Sequence, residues 1–94
     1  MSKAIDNAAR IVNALEGIGY AHMVPLLAPE SGIAVVVSSV PTQYVQIDCH
    51  STGQMEGILS QGNGPTTFVI GQSDRAIELA IERIRKFLER TATP

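Results

Sequence analysis

The sequence predicts an α+β domain: one helix, a mainly antiparallel sheet of four to five strands and a second helix, packed as a two-layer sandwich. Three observations predict it. Apolar residues recur at helical spacing near both ends of the chain. β-Branched runs and a stretch of period two fill the middle. Short turns rich in Gly and Pro separate these runs, and they are too short for the crossovers that parallel pairing needs. At 94 residues and 10.0 kDa the chain can build one core, so residues 1–94 are read as a single domain. Hydrophobic residues make up 45%, enough to fill that core rather than leave the chain disordered.

The first helix is expected from Lys3 to Glu16. Ile5, Ala8, Ala9, Val12 and Leu15 define one buried face, which Ala4 and Ile11 widen. Ser2 is the N-cap candidate, Asp6 sits early where the helix dipole favours an acid, and Gly17 and Gly19 are stop signals. A weak strand over Ala21–Leu27 contains Pro25, which marks it as an edge or irregular stretch. Ile33–Val37 and Thr66–Ile70 are continuous apolar or β-branched runs, read as strands covered on both faces. Gln43–His50 alternates: Val45, Ile47 and Cys49 face one way, Tyr44, Gln46, Asp48 and His50 the other. Gln54–Ser60 reads as a weaker strand, although Met55, Ile58 and Leu59 also fit helical spacing. The last helix is expected from Asp74 to Arg90, with Ser73 as N-cap and a stripe of Ile77, Ala80, Ile81, Ile84, Phe87 and Leu88. Its charges, including an expected Glu82–Lys86 pair, read as a solvated face.

The charge map is the most informative feature. All seven basic residues (Lys3, Arg10, Arg75, Arg83, Arg85, Lys86, Arg90) lie near the ends. From Ile11 to Asp74 there is none, and only Glu16, Glu30, Asp48, Glu56 and Asp74 are acidic. The chain is 17% charged against about 25% for an ordinary soluble domain. Interface cores are depleted in charge, so the sheet face away from the helices is expected to meet other copies of the chain, through Val36, Tyr44, Gln46, Asp48 and His50. The formal charge of −2 and the basic-free middle argue against a nucleic-acid partner. A lone Cys49 rules out an internal disulfide and suits a reducing, cytoplasmic setting. No apolar run reaches the roughly 20 residues of a membrane helix, and Met1-Ser2-Lys3-Ala4-Ile5-Asp6 lacks a signal pattern, so no membrane insertion is expected.

Chemistry is sparse. Cys49 and His50 are neighbours on an extended segment, so they face opposite ways and cannot form a nucleophile pair. No spacing supports a metal site, and no cofactor is expected. Backbone amides of the turn Gly62-Asn63-Gly64, or those of the junction Gly71-Gln72-Ser73 with Arg75 nearby, could hold a small anion.

The stretch Glu56-Gly57-Ile58-Leu59-Ser60-Gln61-Gly62-Asn63-Gly64-Pro65-Thr66-Thr67-Phe68-Val69-Ile70-Gly71 resembles part of the PII-like cyclic-di-AMP receptor family. The resemblance implies a ferredoxin-like trimer with a nucleotide at the subunit boundary. That family opens with a strand, whereas this chain opens with a helix. The ending from Phe68 through Ile84 is similar to KH domains and microcompartment shell proteins, and the helix–meander–helix order is similar to profilin- or roadblock-like domains. The leading functional reading is a non-catalytic homo-oligomeric interaction or assembly subunit. One alternative is a regulatory sensor of a small anionic ligand, nucleotides included. Another is a small oligomeric enzyme using Asp48 and His50.

Overall fold

The computed structural model describes residues 2–20, 24–28, 32–40, 43–62 and 64–92. Helix α1 (Ser2–Gly17) precedes strands β1 (Val24–Ala28), β2 (Gly32–Val40), β3 (Gln43–Cys49), β4 (Met55–Ser60) and β5 (Pro65–Ile70), and helix α2 (Asp74–Ala92) follows. The strands form one sheet in the order β1-β2-β3-β4-β5, every neighbouring pair antiparallel. Both helices pack on the sheet, α1 against β2 and β3, α2 against β3, β4 and β5. The result is the expected α+β sandwich, consistent with a ferredoxin-like layout of two helices on an antiparallel sheet. Pro25 lies in β1, an edge strand, where a missing N–H is tolerated. Within the stretch 54–60, Met55–Ser60 is strand, with Met55, Gly57 and Leu59 buried while Glu56, Ile58 and Ser60 are half-buried.

The core forms where the period-two faces meet the helical stripes. Val35, Val45, Ile47, Cys49, Met55, Leu59 and Ile70 join Ala4, Ala8, Ile11 and Leu15 of α1 and the predicted α2 stripe in one cluster. Each fully buried Ile or Leu contributes about 1.5–3 kcal/mol. Ser73 caps α2, its Oγ accepting from Ala76 N at 3.1 Å. At the end of α1, Gly19 turns left-handed (φ 100°), and Tyr20 N donates to Leu15 O at 3.0 Å.

Two expectations about packing need correction. Helix α1 is rotated from the predicted stripe: Ile5 is 51% exposed and Ala9 is exposed, while Ala4 and Ile11 are fully buried. The reason is Asn7, a polar residue in the middle of the buried face. Its Nδ2 donates to Gly53 O at 3.1 Å, and its Oδ1 accepts from Arg10 Nη1 at 3.3 Å. Arg10 Nη2 continues to Asp74 at 2.8 Å, so one polar chain joins α1, the β3–β4 turn and the start of α2. The helix already includes Ser2, and Asp6 falls beyond its first turn. The second correction concerns β5, read as covered on both faces. It is an edge strand, with Thr66 and Thr67 exposed and Val69 71% exposed.

Strand β2 carries a register shift between Val36 and Ser38. Val35 is buried under the helices, Val36 is half-buried on the other face, and the extra residue returns Val37 to the core. Beyond the bulge Ser38 Oγ lies 2.7 Å from Gln43 Oε1, and Gln43 Nε2 donates to Leu88 O at 3.1 Å. That link ties the β2–β3 end of the sheet to α2.

Candidate functional site

The sheet face away from the helices gathers four of the five predicted interface residues. Tyr44, Gln46 and Asp48 alternate on β3, the central strand, opposite in direction to buried Val45, Ile47 and Cys49. The register places Val36 and Ile58 on either side of Gln46, and Ala34 and Glu56 on either side of Asp48. Tyr44 donates its hydroxyl to Gln46 Oε1, and Gln46 Nε2 donates to Asp48 Oδ1 at 2.6 Å. A hydrogen-bonded polar line thus runs down the middle of the face, flanked by half-buried Val36 and Ile58. Val69 sits one strand further out, paired with Glu56. None of the described sheet residues is Lys or Arg.

His50 falls outside this line. It lies just past β3, exposed, in the turn where His50 N donates to Gln54 O and Gly53 N to His50 O. Cys49 points into the core at 1% exposure, so the two do not form a nucleophile pair. Burial, with the Asp48 charge as a lesser cause, pushes the Cys49 thiol up to about 11 from 9.0. The stability this contributes is present in full below pH 9, the pKa of the unfolded chain, and is lost as pH rises through about 11. Chemical denaturation at pH 8 and pH 11 should therefore show a loss of about 2–3 kcal/mol in the wild type, at 1.36 kcal/mol per unit. Cys49→Ala should show less of that loss.

The two alternative anion-binding positions lie at opposite ends of β5. Gly62 and Gly64 stand before β5 in the β4–β5 turn, and Asn63 lies outside the described residues. Gly71, Ser73 and Arg75 stand at the far end of β5, about 20 Å away at strand rise. Ser73 Oγ is engaged in the helix cap, and Arg75 pairs with Glu78 at 3.5 Å. The stretch from Glu56 to Gly71 holds the β4–β5 hairpin.

The sequence reading missed a groove. Leu59, Gln61, Gly64, Thr66, Arg83, Lys86, Phe87 and Arg90 enclose about 570 Å³ between the β4–β5 turn and α2. Arg83, Lys86 and Arg90 fall at i, i+3 and i+7, so one helical face presents all three. Arg85 belongs to another face, where it pairs with Glu82 and, at 2.9 Å, with Glu89. That arginine, rather than the expected Lys86, is the ion-pair partner of Glu82, and its hydrogen bond holds the Glu82 carboxyl below its ordinary range. The spacing of the three cations was a usable signal; the facing turn was not, because tertiary packing supplies it. Among the described residues no group of three or more His, Cys, Asp or Glu could hold a metal ion, and no helix is long and apolar enough to cross a membrane.

No family model, curated protein or solved structure matches the chain.

Proposed function

We propose that this protein is a non-catalytic assembly subunit whose open sheet face is covered by further copies of the same chain. The observation that carries the reading is the line Tyr44–Gln46–Asp48 on the central strand, flanked by Val36 and Ile58 and free of Lys and Arg. Hydroxyl and amide groups both donate and accept, so a second identical face can satisfy them. Among the described residues the charges of this face are Asp48 and Glu56, which repel a polyanion, and its apolar flanks favour burial over solvation. A lone, buried Cys49 suits a cytoplasmic setting.

The test is a charge placed in the face. Val36→Lys and Gln46→Lys should each dissociate the oligomer, because the desolvation of a buried ammonium exceeds what a neighbouring carboxylate returns at an interface. Sedimentation velocity would read the shift to monomer, and circular dichroism would confirm that the fold is kept. An unchanged oligomer for both variants would sink the reading.

A further inference from the structure

We propose that the groove between the β4–β5 turn and α2 is a binding site for a small oligophosphate anion, held by Arg83, Lys86 and Arg90. The inference does not rest on the assembly reading, since the groove lies on the helix-covered side of the sheet and the open face lies on the other.

The charge arrangement comes first. No carboxylate lines the groove. Among the described residues the ion pairs engage Arg10, Arg75 and Arg85, whereas Arg83, Lys86 and Arg90 enter none. Three like charges on one helical face repel one another, and Glu82 and Glu89, which are engaged by Arg85, offset them only in part. An anion in the groove would offset the remainder.

The second argument is preorganisation. The Arg83 guanidinium stacks over the Phe68 ring, 4.3 Å from its centroid. The ring in turn lies over Gly57, whose missing side chain makes the space for it. An arginine already held on an aromatic face loses less side-chain freedom when it binds. Thr66 and Gln61 supply neutral donors from the opposite wall.

The third argument fixes the ligand class. From position 83 to position 90 the helix advances about 10 Å at 1.5 Å per residue. A chain of two or three phosphates can span that distance, whereas a single phosphate meets all three cations only if the outer side chains fold inward. A groove of about 570 Å³ lies in the range of small-ligand sites. A long nucleic-acid strand fits less well, because the basic strip ends within eight residues and Glu82 and Glu89 flank it on the same helix.

The experiment uses the full chain and sodium tripolyphosphate, titrated by calorimetry in 50 mM salt. Binding should be saturable, and orthophosphate should bind at least about tenfold more weakly. Lys86→Gln and Arg90→Gln should each weaken tripolyphosphate roughly tenfold, as expected for loss of a charge-assisted contact. Arg75→Gln, on the same helix but outside the groove, should bind as wild type does. Circular dichroism would confirm the fold of each variant. ATP binding more tightly than tripolyphosphate would assign the phosphates to a nucleotide; weaker binding would assign them to an inorganic chain. Equal weakening by Arg75→Gln would mean nonspecific charge attraction and overturn the site. So would the absence of binding to the wild type at millimolar tripolyphosphate.

Discussion

Gly57→Ala should lower stability by about 1–3 kcal/mol, the usual range for overpacking, even though alanine is elsewhere the better strand residue. Gly57 is the direct partner of Phe68 across β4 and β5. A Cβ there would collide with Phe68 Cζ and lie 2.5 Å from Cε1. The ring would have to lift off the strand, and the guanidinium of Arg83 that stacks on its other face would lose its support. The sign should reverse once the ring is removed. In a Phe68→Ala background, Gly57→Ala should stabilise by about 0.5–1 kcal/mol, because the backbone entropy lost by glycine is then the only difference. A double-mutant cycle by urea denaturation reads both values, and the coupling between the two positions should exceed about 1 kcal/mol. Additive effects would show that the ring and the glycine do not meet.

Asn7→Ala should cost about 1–3 kcal/mol, or roughly 5–15 °C in Tm for a domain of this size. The side chain is buried and bridges to Gly53 O, the carbonyl of a turn residue that holds φ at 96°. Without the amide, that carbonyl keeps its place under α1 but loses its donor. Asp74→Asn tests the other end of the same polar chain. Asp74 is 96% exposed, so its pair with Arg10 is screened by water and the loss should stay under about 1 kcal/mol. Equal losses for the two variants would place the stabilisation in the surface ion pair instead of the buried amide.

These two positions also mark where the sequence stopped being readable. Helix α2 was legible because its buried stripe is wholly apolar and Ser73 caps it. Strand β3 was legible because its alternation is strict. Helix α1 was placed correctly but rotated, since apolar counting passes over a polar residue whose partner, Gly53, stands 46 positions away. Thr66–Ile70 reads as a covered strand by its β-branched residues, yet nothing in a run of residues says that no strand lies beyond it. The open face was legible residue by residue, apart from His50, which the turn to β4 removes from the row. Gly62–Gly64 and Gly71–Ser73 read from the sequence as two alternative anion sites, and the six extended residues of β5 keep them separate. Arg83, Lys86 and Arg90 read as a solvated face, and the wall opposite them is not legible in the helix because it comes from a hairpin some 20 residues earlier in the chain.

If the open face meets another copy, native mass spectrometry of the protein as purified should find a closed homo-oligomer at micromolar concentration, dissociated by Val36→Lys and Gln46→Lys. A bare wild-type monomer under the same conditions would contradict it.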